Sequence, residues 1–245
     1  MNLSNKVAIV TGGNSGIGYA TAKELISQGA RVIITGRRKE AIDQAAQELG
    51  AIPFVADQSK LEDIHTLYEA VQDQFGQVDI LFINAGITGE NTLIAEATEA
   101  NFDSVMDINF KGAYFTLSKF TPLLTDGASV VFLSSIVAST HQPKSSVYQA
   151  SKAAVNSVAK TAAAELAPRK IRVNTVSPGP TKTAVLNKLN DDATAQHIWD
   201  HLSTLVPLKK VGIPEDVAKL VAYLCQDAAS FITGADFVID GGITI

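Results

Sequence analysis

Tyr148 and Lys152 stand four residues apart in the stretch YQASK, inside a run of helical periodicity over 147–167. At that spacing two side chains share one helix face and can meet. A free phenol titrates at ~10 and is a poor base near neutrality. A neighbouring ammonium favours the phenolate and turns the phenol into a usable proton donor or acceptor. A lone Tyr-x-x-x-Lys pair arises often by chance, and surface packing explains most of them. Here Ser135 accompanies it, directly after the apolar run SVVFLS at 129–134. A hydroxyl at such a strand end can donate a hydrogen bond to a carbonyl oxygen as negative charge develops on it.

A second cluster lies near the N-terminus. VTGGNSGIG, residues 10–18, holds four glycines, spaced Gly12-x-x-x-Gly16-x-Gly18. An apolar run precedes it and a helix-like stretch follows. A helix N-terminus offers unpaired N–H groups and the positive end of a dipole, and glycines let a pyrophosphate approach the backbone. Gly12, Asn14, Ser15, Gly16 and Ile17 are therefore candidate cofactor contacts. The spacing is not G-x-G-x-x-G. It also misses the G-x-S-x-G nucleophile elbow, because Ile17 stands at the last position. The next strand ends in ITGRRKE, with Gly36 where an acid would bind the ribose of NAD. Arg37 and Arg38 follow, and arginine suits the extra phosphate of NADP. The sequence thus favours NADP(H), with NAD(H) as the alternative.

The elements that must hold these groups alternate along the chain. Strands are expected at 6–11, 31–35, 52–56, 78–84, 129–134, 171–176 and 236–240. Helices are expected at 17–28, 38–49, 60–75, 99–119, 147–167 and 214–226. The strand runs are continuously apolar, as for parallel strands covered on both faces. Gly29 and Gly50 stand at C-cap positions, and Pro214 opens a helix. This pattern implies an α/β fold, a doubly wound parallel sheet of about seven strands in one domain over 1–245. Residues 180–210 are too long for a simple connection and are expected to form a substrate lid. Ile198, Leu202 and Leu205 share helical periodicity, either as the lid's apolar underside or as ordinary core.

Of the 245 residues 46% are hydrophobic and 18% charged, and the net charge is −5. Such an acidic balance argues against nucleic acid or an anionic membrane as partner. No apolar run approaches the ~20 residues of a membrane span, and the N-terminus lacks a signal-peptide pattern. Cys225, the single cysteine, sits in an apolar helical pattern and reads as a core thiol in a reducing, cytoplasmic protein. His197 and His201 have the spacing of helical metal ligands but no third ligand, and no metal is expected.

Taken together, the chain resembles the short-chain dehydrogenase/reductase family over nearly its whole length. Thr11-Gly12-x3-Gly16-x-Gly18 resembles the family's cofactor loop, and Asn84-Ala85-Gly86 its NAG element. Asp57 matches the acid near the adenine, followed here by Gln58 where the family often has valine. Asn109, Ser135, Tyr148 and Lys152 match the catalytic positions, and Pro178-Gly179 with Thr181 the nicotinamide clasp. Ser15 stands where some NADP-preferring members carry a basic residue. The resemblance implies a carbonyl/alcohol oxidoreductase in which Tyr148 donates or accepts the proton. Lys152 would lower the phenol's pKa and bind the nicotinamide ribose, Ser135 orient the carbonyl, and Asn109 hold a relay water. It further implies a homotetramer, contacting through the long helices and the C-terminal strand. A catalytically silent nucleotide sensor is the rival reading from another class. Within the family, 3-oxoacyl-carrier-protein, sugar and hydroxysteroid substrates stay open. Lys182, Lys188, Lys209 and Lys210 would serve an acidic carrier or a solvated face equally.

Overall fold

Apolar runs flanked by helices of period 3.6 fold into one layer of strands between two layers of helices. The computed structural model describes residues 3–183 and 192–245. Its strands are β1 (Val7–Thr11), β2 (Arg31–Gly36), β3 (Ile52–Val55), β4 (Val78–Ile83), β5 (Leu124–Leu133), β6 (Arg172–Pro178) and β7 (Asp236–Ile239). They form one sheet in the order β3-β2-β1-β4-β5-β6-β7, and every neighbouring pair is parallel. All residues of β1, β4 and β6 are buried, as the unbroken apolar runs required. The edge strands β3 and β7 alternate instead, because only one of their faces is fully covered.

The helices are α1 (Gly16–Ser27), α2 (Lys39–Leu49), α3 (Leu61–Phe75), α4 (Glu99–Met106), α5 (Ala113–Phe120), α6 (Ser146–Leu166), α7 (Asp192–Leu205) and α8 (Pro214–Leu224). One face of the sheet packs on α3, α5 and α6 through Leu67, Leu117, Phe120, Val155 and Ala159. The other packs on α1, α2 and α8 through Ala22, Leu25, Ile42, Val217 and Val221. Adjacent residues of β1 divide accordingly: Ile9 joins the first core, Ala8 and Val10 the second. Gly50 ends α2 in the left-handed conformation and Pro214 starts α8, as their positions in the sequence demanded.

Three elements differ from expectation. β5 begins five residues before the expected 129, and its register with β4 shifts between Val78 and Ile80. The helix expected over 99–119 is interrupted by a wide π-helical turn at Asp107–Gly112. There the side-chain amide of Gln58 donates to the Ile108 carbonyl at 3.0 Å, the kind of insertion that loosens a helical ladder. In α7 the inward stripe is Ala195 and Trp199, continued by Val206, while Leu205 is 54% exposed and Ile198 and Leu202 are half-buried. The expected underside of Ile198, Leu202 and Leu205 is thus rotated, because the bulky indole takes the central position. Part of the expected lid, 184–191 with Lys188, lies outside the described residues. Among the described residues no helix is long and apolar enough to cross a membrane.

The wide turn presses Gly112 onto the β3–α3 connection: a Cβ there would lie 2.0 Å from the Gln58 carbonyl oxygen. Gly112→Ala is therefore expected to cost about 3 kcal/mol by overpacking. Gly127→Ala is expected to cost about 1 kcal/mol, since only its φ of 83° opposes a side chain. Urea-unfolding midpoints of the two variants check the contrast, and equal losses would refute it.

Candidate active site

Between β1 and β4 the chain leaves the sheet in opposite directions, which opens a crevice at the strands' carboxyl ends. Side chains build its floor. Buried Thr11 accepts at its hydroxyl from the amides of Asn84 (2.9 Å) and Ala85 (3.0 Å). The Asn84 side chain donates to the carbonyls of Thr11 (2.8 Å) and Gly12 (3.2 Å). The glycines follow from this closeness: a Cβ on Gly18 would lie 2.3 Å from the Gly12 carbonyl and 2.6 Å from Asn84 Nδ2. The Ser15 side chain makes no cap bond, so the amides of Gly16, Ile17 and Gly18 find no acceptor among the described residues. An open helix N-terminus of this kind suits a pyrophosphate.

At the outer end of the crevice, Asn14 Oδ1 lies 3.0 Å from where a Gly36 Cβ would be. Arg37 and Arg38 are exposed, and their guanidinium groups have no hydrogen-bond or ion-pair partner among the described residues. Asp57 accepts from the amide (3.0 Å) and hydroxyl (2.8 Å) of Ser59, both through Oδ1, leaving Oδ2 toward other donors. Buried Gln58 gives its amide to Ala85 O (3.2 Å) and Ile108 O, while its Oε1 is buried without a partner. It braces the walls with its side chain.

On the opposite wall, Ser135 follows β5 and Tyr148 and Lys152 occupy the first turns of α6. Lys152 is 4% exposed; its Nζ donates to Leu133 O at 2.7 Å and stands 5.9 Å from the centre of the Tyr148 ring. Burial lowers the ammonium to about 8. Desolvation likewise pushes the Tyr148 phenol above its ordinary value, with its hydrogen bond to the Ser135 hydroxyl acting in the opposite sense. Desolvation therefore outweighs the Ser135 hydrogen bond and raises the phenol, while the Lys152 ammonium, expected to acidify it, is turned to the Leu133 carbonyl.

Asn109, in the wide turn, is 2% exposed and exchanges two hydrogen bonds with the Ile87 backbone, each 2.8 Å. A Cβ on Gly86 would touch Asn109 Oδ1 (3.1 Å) and Lys152 Nζ (3.5 Å), so the NAG loop, the turn and α6 converge at one point. Pro178 ends β6, and Gly179 packs so closely on Asp240 that a Cβ would lie 2.6 Å from the Asp240 Cβ. Thr181 bonds Gly179 O at 3.0 Å and pairs with Gly212, tying the expected lid's first stem to the start of α8.

Sequence reasoning passed over Thr11 as a structural residue, and also Ser151, Thr183 and Asp240. Thr183 lies over the N-terminus of α1, 3.5 Å from a Gly16 Cβ. Asp240 closes the C-terminal turn by accepting from Gly242 N (2.8 Å), Thr244 N (3.1 Å) and Thr244 Oγ1 (2.6 Å). Burial raises its pKa, but these hydrogen bonds outweigh it and hold the carboxyl below its ordinary value. The one available signal was the D-G-G triplet of 240–242, a turn marker that names no partner. The Cys225 thiol is buried and pushed up to about 12 by desolvation, as the core position expected from the sequence implies. Among the described residues no His, Cys, Asp or Glu side chains group as metal ligands.

The family model described as enoyl-(acyl carrier protein) reductase matches residues 12–244. The chain is 35% identical to the 3-oxoacyl-[acyl-carrier-protein] reductase of Thermotoga maritima, covering 100% of both chains. It is 36% identical to the human dehydrogenase/reductase SDR family member 4, over 98% of this chain and 88% of that one. It is also similar to the crystal structure of the 3-ketoacyl-(acyl-carrier-protein) reductase of Brucella melitensis complexed with NADH. That likeness has a TM-score of 0.91 at 32% identity and covers 100% of each chain. With the parallel sheet, the glycine-lined crevice and the Ser135, Tyr148 and Lys152 wall already in place, these matches agree on one assignment: the chain belongs to the short-chain dehydrogenase/reductase family of oxidoreductases.

Proposed function

We propose that this chain transfers a hydride between NADP(H) and a carbonyl/secondary alcohol pair, in the direction of ketone or aldehyde reduction. The observation that carries the reading is the placement of Ser135, Tyr148 and Lys152 at the strand ends, with the open N-terminus of α1 across the β1–β4 crevice. The residues present fit a nicotinamide dinucleotide. The free amides at Gly16, Ile17 and Gly18 suit its pyrophosphate, Asp57 Oδ2 and the Asn84–Gly86 loop its adenosine half, and Pro178, Gly179 and Thr181 its nicotinamide half. Arg37 and Arg38, without acidic partners, suit a 2′-phosphate. When bound, the nicotinamide supplies or accepts the hydride.

The chain's own residues supply the proton and the alignment. The Ser135 hydroxyl donates to the substrate carbonyl oxygen and stabilises the charge that develops there. Tyr148, kept protonated by burial, donates its proton to the same oxygen. Lys152, 5.9 Å from the centre of the Tyr148 ring, would hold the nicotinamide ribose and offsets the charge of the phenolate left behind. Asn109 anchors the loop that faces Lys152. As a lid over the carbonyl we read α7, whose buried Ala195 and Trp199 would give the substrate pocket an apolar wall. A homotetramer belongs to the same reading: Phe102, Tyr114 and Phe115 on α4 and α5 are 40–48% exposed, and Val238 on the edge strand β7 is 52% exposed. A lone buried thiol suits a reducing, cytoplasmic compartment.

Tyr148→Phe is expected to lower kcat about a thousandfold while leaving NADPH affinity within about twofold, since only the proton donor is lost. Initial rates over a carbonyl panel with NADPH and NADH in parallel check this, and undiminished turnover would remove Tyr148 from its role. Arg37→Ala is expected to weaken NADPH binding about tenfold and NADH binding hardly at all, the loss of a charge-assisted bond to one phosphate. The third expectation concerns pH. Lys152 is charged below about 8 and neutral above it. Because kcat/KM reports the free enzyme, kcat/KM for reduction should fall as pH rises through about 8. The phenol, raised above its ordinary value, stays protonated across that interval. A profile flat from pH 7 to about 10 would contradict the assigned part of Lys152.

A further inference from the structure

Ser151 is wholly buried, three residues after Tyr148 and one before Lys152. Its hydroxyl donates to the Tyr148 carbonyl oxygen at 2.7 Å and accepts from Asn109 Nδ2 at 3.1 Å. The remainder of the Asn109 amide is committed to Ile87, taking its N–H and giving to its carbonyl. Hydrogen bonds therefore run without a break from the loop after β4, through the wide turn, to the first turns of α6. A serine bonding back to the carbonyl three residues earlier is ordinary in helices and would carry nothing alone. The bond from Asn109 is not ordinary. It crosses between elements, it is buried, and among the described residues Ser151 Oγ is the only acceptor that this second amide hydrogen has. The wide turn makes it possible by bringing Asn109 against both Ile87 and α6.

We infer that Ser151 is a positioning residue, which acts through Asn109 to set the turn carrying Tyr148 and Lys152 against the Gly86–Ile87 loop. The inference rests on Tyr148 being the proton donor. Reaction rates depend on donor alignment to within about 1 Å, whereas ground-state binding tolerates such shifts better. Removing the hydroxyl strands a buried amide hydrogen of Asn109, so the amide must turn or α6 must shift. Either response moves the phenol relative to the carbonyl and leaves the phosphate end of the crevice alone.

The test compares full-length wild type, Ser151→Ala, Ser151→Cys, Ser151→Thr and Tyr148→Phe. Readouts are kcat and KM with one carbonyl substrate, NADPH binding by fluorescence, the pH profile of kcat, and Tm. Ser151→Ala should keep NADPH affinity within about twofold, lower kcat about tenfold and displace the pH midpoint of kcat. Ser151→Thr, which retains a hydroxyl, should recover most of kcat. Ser151→Cys keeps the volume but accepts hydrogen bonds weakly, so it should follow alanine and supplies the same readouts if the alanine variant does not fold. A wild-type kcat and pH profile in Ser151→Ala or Ser151→Cys would overturn the inference. So would losses in kcat, NADPH affinity and Tm together with an unmoved pH profile, which would make Ser151 merely structural. If wild type is active, Tyr148→Phe is inactive and the Ser151 variants are unimpaired, this inference alone fails. If Tyr148→Phe is as active as wild type, the reading of Tyr148 fails and this inference with it.

Discussion

The hydrogen bonds between Thr11 and the Asn84–Ala85 backbone and side chain are the constraint from which the site follows. Parallel pairing of β1 with β4 runs from Ala8–Ile80 to Val10–Phe82 and then stops, because the following segments turn away to opposite faces. Past that point the backbone groups need other partners, since buried polar groups left alone are costly. Thr11 Oγ1 and Asn84 Nδ2 provide them, extending the ladder by one step with side chains. The two loops are thereby held so close that Gly12 and Gly18 tolerate no side chain. The glycine cluster therefore has two effects. The glycines make room for a neighbouring loop first, and by the same compactness they leave the amides of α1 open.

The reacting wall is governed by desolvation. Burial raises the Tyr148 phenol and lowers the Lys152 ammonium to about 8, so each is shifted toward its neutral form, the phenol keeping its proton and the ammonium its charge below about 8. Lys152 Nζ meanwhile donates to the Leu133 carbonyl. Under the proposed reading of Tyr148 as proton donor, reactivity rests on alignment and on charge appearing on the substrate oxygen, which is where preorganised donors are effective.

Much of this was legible in the residue order. Continuous β-branched runs separated by periodic helices allowed few arrangements besides a covered parallel sheet, and seven such runs became seven strands. Tyr148, Lys152 and Ser135 were readable because helical spacing and strand ends place side chains by local geometry alone. Gln58 was not. Its side chain spans Ala85 and Ile108, residues 27 and 50 positions away, and no local pattern announces such a brace. The wide turn at Asp107–Gly112 escaped for the same reason, since its helical periodicity looks regular until the Gln58 amide occupies a carbonyl of the ladder. The inward stripe of α7 was misjudged because three aliphatic positions share one period with Trp199, and packing chose the indole.

What the sequence determined by itself is the alternation of elements, the chemistry of the phenol, ammonium and hydroxyl, and a glycine-rich start to the first helix. These depend on interactions within a few residues. Tertiary structure alone decided that Asn109 faces both Ile87 and Ser151, that Lys152 rests on Leu133, and that the phenol is raised. Each of those depends on which distant backbone groups are left unpaired and how much water is excluded, and both quantities exist only once the two faces of the sheet are covered.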